Sequence, residues 1–349
     1  MCTKNLNWIE QLADKIITDA FKKETTDIHI IPRKKDTLIQ FRVVNKLIPY
    51  LYLQREECDR LISHFKFQAA MDIGERRRPQ SGAYTNYVDG HLISMRLSTL
   101  PTAYNESLVI RLLPQSKKDP HHLSLFPQTT RKILALLKHA HGLIIFTGPT
   151  GSGKTTTLYS LLNESSRIFN RNIITLEDPV EKNYDNVLQV QVNEKAGITY
   201  STGLKAILRH DPDLIMVGEI RDAETAQIAV RASLTGHLVL STMHTRDAKG
   251  AIYRLLEFGV NWIEIEQTLV AVTAQRLVEL ACPLSETVKR AAVFEILYGR
   301  SLVEVLREAK GEKVDLHYEK LKDIIKKGIA LGFIKESEYE RWVYEYEKV

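Results

Sequence analysis

The stretch Gly148-Pro149-Thr150-Gly151-Ser152-Gly153-Lys154-Thr155 constrains the fold of this chain more than any other. It fits G-x-x-x-x-G-K-[ST] at every fixed position. It follows the apolar run Leu143-Ile144-Ile145-Phe146-Thr147 and precedes a helical pattern, the context that separates a phosphate-binding loop from a chance match. Glycines let the backbone curl so that successive N–H groups face an anion. The helix N-terminus adds the positive end of its dipole. Lys154 is expected to reach the β- and γ-phosphates of ATP, Thr155 to offer its hydroxyl to Mg²⁺, and Thr156 to complete the binding set.

Binding is not hydrolysis, which also needs an acid for the metal and a group that orients water. The run Leu214-Ile215-Met216-Val217-Gly218-Glu219 ends a predicted strand on a carboxylate, and Glu219 is the candidate for the Mg²⁺ shell. Glu177-Asp178-Pro179-Val180-Glu181 ends another, with Pro179 stopping it. Glu177 is the preferred group for polarising the attacking water, although the two acids could exchange roles. His237 and His244 bracket the run 238–243 and are candidates for sensing the γ-phosphate. Arg96, Arg111, Arg209, Arg221 and Arg276 are the other anion-capable groups.

Around this centre the pattern alternates strands and helices. Residues 143–147, 172–176, 188–192, 214–217 and 238–243 are apolar runs of strand length. That order implies an α/β fold with a mostly parallel sheet covered by helices. From about residue 250 the chain reads as mainly helical, Lys and Glu being interleaved to the end. The first part differs. Ile9, Leu12, Ile16, Ala20 and Phe21 form a helical stripe expected to face a core. Strand-like runs follow at 27–30, 38–43, 92–97 and 107–113, with a helical pattern at 56–71. This makes an α+β module over residues 1–113, a polar, proline-containing linker at 114–122, and a second domain over 123–349.

A chain of 349 residues, 44% hydrophobic and 26% charged, has the material for two such domains. The net charge of +5 is too mild to imply nucleic acid by itself. Cys2, Cys58 and Cys282 form no C-x-x-C pair, so neither a disulfide framework nor a zinc ribbon is expected. Glu10, Asp14 and Lys15 interrupt the first apolar pattern, which is therefore no signal peptide, and no run suits a membrane span. A reducing cytoplasm is the expected compartment.

The whole pattern resembles the secretion and type IV pilus assembly ATPases. The resemblance rests on the phosphate loop, on Arg96-Leu97-Ser98-Thr99-Leu100-Pro101-Thr102, and on an acidic box at Thr175-Leu176-Glu177-Asp178-Pro179-Val180-Glu181. It rests also on residues 208–222 around Glu219 and on a histidine box from Thr235-Gly236-His237 to His244-Thr245. Residues 61–67 and 204–211 are similar to the branch that serves a competence pseudopilus in DNA uptake. The resemblance implies a PAS-like N-terminal domain, a RecA-like ATPase domain and a homo-hexameric ring. Arg96 and Arg111 would then reach towards nucleotide held between the domains. It also implies a polytopic membrane platform protein as partner, and so a peripheral position at the inner face of the membrane. Three departures stand out. The chain starts too near the PAS-like region to hold an extra N-terminal docking domain. No cysteine follows Cys282, so the zinc loop of many relatives is not expected. Arg42-Val43-Val44-Asn45-Lys46 replaces the usual Arg-x-Asp-Gly turn. Two rival readings are a RecA-like DNA translocase and a low-turnover nucleotide-gated scaffold. The first would need a basic, aromatic-lined channel, and Arg76-Arg77-Arg78 and Lys326-Lys327 are only short charge runs. No direct nucleic-acid contact is therefore expected.

Overall fold

The computed structural model describes residues 4–43, 46–114, 123–182, 184–282 and 289–344. Most of the expected linker, the 44–45 turn and the residues after Cys282 lie outside these. The chain divides into two compact units, Met1–Ser116 and Lys117–Val349.

The first unit is an antiparallel sheet with two helices. Its strands are β1 (Asp27–Pro32), β2 (Thr37–Val43), β3 (Lys46–Leu53), β4 (Gln80–Val88), β5 (His91–Thr102) and β6 (Asn105–Pro114). Among the described residues they lie in the order β3-β2-β1-β6-β5-β4. The helices are α1 (Lys4–Lys22) and α2 (Arg55–Gln68). Helix α1 buries Ile9, Ala13, Ile16, Ile17 and Ala20, which lie along one face of the helix as a core-facing stripe requires. Ala13, Ile16, Ile17 and Ala20 pack with Leu61, Ile62 and Phe65 of α2 and with the inward residues of β1, β2, β5 and β6. Strands β3 and β4 have no strand-like run in the sequence reading. Both lie at sheet edges, where the pattern is weak because little of the strand is buried: Lys46, Leu47, Ile48 and Pro49 are all exposed.

The second unit opens with α3 (Pro127–Leu136) and β7 (Gly142–Thr147). It continues through α4 (Lys154–Phe169), β8 (Ile173–Glu177), β9 (Leu188–Gln191), α5 (Tyr200–Ile207), β10 (Leu214–Val217), α6 (Ala223–Leu234) and β11 (Leu238–Met243). Then come α7 (Ala248–Glu257), α8 (Trp262–Thr268), β12 (Leu269–Glu279), β13 (Arg290–Tyr298), α9 (Gly299–Ala309), α10 (Leu321–Ala330) and α11 (Ser337–Tyr339). The sheet order is β13-β12-β7-β11-β10-β8-β9 among the described residues. All neighbours are parallel except β12 and β13.

The expectation of a mainly helical chain after residue 250 is corrected here: β12 and β13 are two of the longer strands in the unit. Strand β12 is buried along nearly its whole length, so it shows no polar–apolar alternation. Without that alternation, periodicity does not distinguish a central strand from a buried helix.

The ladder places the C-terminal ends of β7, β8, β10 and β11 on one edge: Thr147 lies opposite Met243, and Val217 opposite both Ser241 and Leu176. From β7 the chain crosses to β8, returns through β10 and β11, and then passes β7 to reach β12. The connections leaving the neighbouring strands β7 and β11 therefore run in opposite directions across the sheet, and the crevice at such a switch point is where parallel α/β sheets bind ligands.

Candidate active site

The phosphate loop bridges β7 and α4. Gly153 caps α4 in the left-handed region at φ +87°, with no side chain closing the first turn, so the leading N–H groups of the helix are left for a ligand. A Cβ on Gly148, at φ +146°, would stand 2.5 Å from the Gln275 carbonyl oxygen. One on Gly153 would stand 2.9 Å from Gln275 Nε2. The Ser152 hydroxyl is buried and has no hydrogen-bond partner among the described residues. A glycine loop with no room for Cβ atoms at Gly148 and Gly153, an α4 N-terminus with no side-chain cap and an orphaned buried hydroxyl fit a polyphosphate.

Lys154 is buried in the same loop. Its Nζ donates to the carbonyl oxygens of Gly148 at 2.7 Å and Pro149 at 3.1 Å. Burial lowers its pKa to about 8, against the pull of the Glu219 charge. An anionic ligand would supply the counter-charge this ammonium lacks. Thr155 and Thr156 are half-buried on the first turn of α4.

Glu219 follows β10 at the same sheet edge. It pairs with Arg221, and its Oε2 lies 3.7 Å from His244 Nε2. Burial, followed by the Lys154 charge, holds the His244 imidazole below its usual pKa. The Thr147 and Thr245 hydroxyls meet at 2.7 Å and fasten the end of β7 to the segment after His244. The structure therefore brings together the phosphate loop, Lys154, Thr155, Glu219 and His244.

Glu177 also ends at this edge, but it is enclosed. Tyr159 Oη donates to Oε2, while Thr175 Oγ1 at 2.6 Å and Gln189 Nε2 at 3.3 Å donate to Oε1. Burial raises its carboxyl pKa, and these donors act against that rise.

His237 is not brought to the loop, and its place in the nucleotide set is corrected. It precedes β11 and contacts the Ala232 carbonyl at 3.0 Å and Thr235 Oγ1 at 3.1 Å. It sits beside Gly142, the first residue of β7, whereas the phosphate loop follows the last. At about 3.3 Å per residue, the length of the strand separates the two. Arg96 and Arg111 belong to the first unit, directly opposite each other on β5 and β6. Arg111 Nε donates to Asp27 Oδ1 at 2.8 Å. Arg209 is exposed.

Two contributors, Gln275 and Tyr159, were missed as site residues, and a third, Arg276, was named only as an anion-capable group. Gln275 on β12 donates from Nε2 to the Ser152 carbonyl at 2.7 Å and accepts from Thr157 Oγ1 at 3.1 Å, bracing both rims of the loop. Arg276 is buried next to it, donates to the Arg246 carbonyl, and stacks over Trp342 at 5.1 Å. Tyr159 donates to Glu177 from α4. The available signal was polar residues inside apolar runs, such as an amide on a strand buried on both faces.

A family model described as "Type II/IV secretion system protein" matches residues 3–322. The chain belongs to that family. It is 57% identical over 349 residues to "Competence protein ComGA" of Bacillus subtilis (strain 168), spanning 96% of this chain and 98% of that one. It is 46% identical over 277 residues to "Type II secretion system protein E" of Klebsiella pneumoniae, covering 79% of this chain and 56% of that longer protein. The solved structure of the pilus retraction motor PilT with bound ADP shares 25% identity and a TM-score of 0.72, covering 96% of this chain and 99% of that one. Family membership makes the chain a nucleotide-binding ATP hydrolase of the secretion and pilus class. No helix among the described residues is long and apolar enough to cross a membrane.

Proposed function

We propose that this chain is a hexameric motor whose ATP hydrolysis drives assembly of a competence pseudopilus for DNA uptake. The observation that carries the reading is the convergence of Lys154, the empty-handed Ser152 hydroxyl and Glu219 at the switch point of a parallel sheet. The similarity to ComGA proteins over nearly the full chain supports the competence assignment.

In this reading Lys154 leaves its loop carbonyls for the β- and γ-phosphates, and the α4 N-terminus takes their remaining charge. Mg²⁺, held by Thr155 and Glu219, would neutralise charge on the transferred phosphoryl group. Glu177 orients water and accepts its proton. Burial makes it more basic than an ordinary carboxylate, which suits that task. Its Oε2 keeps a lone pair beyond the Tyr159 bond. His244 beside Glu219 is placed to respond to loss of the γ-phosphate. Arg96 and Arg111 serve as the anion-binding cations of the first unit, which we read as PAS-like, and the second unit as RecA-like. A polytopic platform protein in the membrane receives the motion and holds the ring at the inner face of the membrane.

The deciding experiment is ATP turnover measured together with solution mass, with and without Mg-nucleotide. A six-subunit ring with nucleotide-dependent turnover supports the motor. A monomer that binds without turnover overturns it in favour of a nucleotide-gated scaffold. DNA-stimulated turnover with a steep salt dependence would favour a translocase.

A further inference from the structure

Resting on the reading of Glu177 as the base, we propose that Tyr159 is a positioning residue for hydrolysis, its phenol fixing the Glu177 carboxylate from the helix that begins in the phosphate loop. Tyr159 lies four residues after Thr155, on the same face of α4, and is 1% exposed. Its hydroxyl donates to Glu177 Oε2 and accepts from the Glu181 and Lys182 amides, both at 3.4 Å. Its ring stacks on Tyr184, with centroids 5.2 Å apart and planes 16° from parallel. The side chain is thus held at both ends, by a ring below and by the acidic turn above.

The other two donors to Glu177, Thr175 and Gln189, stand on β8 and β9, within the sheet edge that carries the acid itself. Tyr159 alone of the three connects Glu177 to the element whose N-terminus receives phosphate. Seating a nucleotide against α4 therefore acts on the carboxylate through this phenol. With Oε1 taking two donors, Oε2 is the oxygen left for water, and Tyr159 decides which of its lone pairs faces outward.

The titratable and charged groups that face Glu177 are Tyr159 from α4, Glu181 from the turn after β8, and Tyr200 from the first turn of α5. Burial pushes both phenols well above the ordinary tyrosine range, so Tyr159 remains a donor throughout the working pH range. Its bond favours the ionised carboxylate. Losing it raises the Glu177 pKa, and the acid limb of the rate profile moves to higher pH.

The test compares the full chain with Tyr159→Phe and Glu177→Gln. Turnover is measured across pH, alongside thermal stability and Mg-ATP titration. Phenylalanine keeps the ring stack. The expected result for Tyr159→Phe is a kcat lower by about tenfold, a KM for ATP within about twofold, and an acid limb raised by about half a pH unit or more. Replacing Tyr159 by a fluorinated tyrosine, a stronger donor, should move that limb the other way. Wild-type kcat and pH profile in Tyr159→Phe, with Glu177→Gln inactive, overturn the proposal and leave Glu177 as base. A Tyr159→Phe loss that follows thermal stability, with no shift of the acid limb, also overturns it, because it marks a purely structural role. Full turnover by Glu177→Gln removes the base assignment, and this proposal with it.

Discussion

Gln275→Met separates the brace on the phosphate loop from the chemistry. The substitution keeps length and volume but removes both hydrogen bonds of the amide, to the Ser152 carbonyl and from the Thr157 hydroxyl. The threonine can turn to the carbonyl one helical turn back, so its loss is largely recovered. The Ser152 carbonyl has no such recourse, and an unsatisfied buried acceptor costs about 1–3 kcal/mol. The thioether returns less than about 1 kcal/mol through burial. A net loss of about 2 kcal/mol lowers the melting midpoint by about 4–8 °C in a unit of this size. Where the weakened loop loosens in the free chain, nucleotide must order it on binding, and that share of the 2 kcal/mol moves from the melting midpoint to a rise in KM for ATP of up to about 30-fold. Glu177 and Glu219 are untouched, so kcat should stay within about threefold. Gln275→Glu should do worse, because it sets an acceptor against the Ser152 carbonyl and a negative charge beside the phosphates. The assay is turnover against ATP concentration, with melting curves at zero and saturating nucleotide. An unchanged midpoint together with a KM within twofold of the parent, or a midpoint deficit that saturating nucleotide abolishes, would refute the argument.

Lys154→Ala should remove about 3 kcal/mol of charge-assisted contact to phosphate, read as a loss of about 100-fold in nucleotide affinity by calorimetric titration. Glu219→Gln should bind Mg-ATP and lose turnover; turnover at the parent rate would remove it from the metal shell. Glu295 is buried on β13, accepts from the Ala248 and Leu321 amides, and so caps α7 and α10. Glu295→Ala should cost about 2 kcal/mol in denaturant unfolding, about 1 kcal/mol per lost cap. Burial also raises the Glu295 pKa, so the folded chain holds this proton to a higher pH than the unfolded chain does. Its ionisation then costs stability, and the parent should lose stability relative to Glu295→Gln as pH rises from about 4 through the raised value. Parallel pH–stability curves for the two would contradict this.

The parts of the fold that could be read from the sequence are those whose cause is local. The runs 214–217 and 238–243 coincide with β10 and β11 because each is short, buried on both faces and bounded by turn residues. The phosphate loop was legible for the same reason: strand, glycines, lysine and helix are contiguous. What failed depended on distant partners. Strands β12 and β13 look like helix material until they are paired with β7 and with each other. Gln275 reaches Ser152 and Thr157 across separations of 123 and 118 residues, and no pattern of spacing records that contact. His237 is a different kind of miss. A six-residue strand is about 20 Å long, so histidines at its two ends could not both serve one phosphate in one subunit, and that arithmetic was already present in the sequence.

Glu177 shows why motif and geometry have to be weighed together. The acidic box marks a carboxylate at the same edge of the sheet as the phosphate loop. Read alone, it suggests an acid open to water. The fold instead closes three donors around it, from α4, β8 and β9, and leaves Glu219 as the more open acid near Lys154. A buried carboxylate with its donors in place is costly to ionise and tightly oriented, whereas an exposed one is neither. An enzyme that must not hydrolyse ATP until its parts are aligned gains from the first arrangement. On the proposed assignment the base is strong but narrowly aimed, and its aim depends on α4, the helix whose first turn would hold the phosphates. Coupling of loop occupancy to hydrolysis therefore needs no messenger beyond the side chain that joins them, and Tyr159 occupies that position.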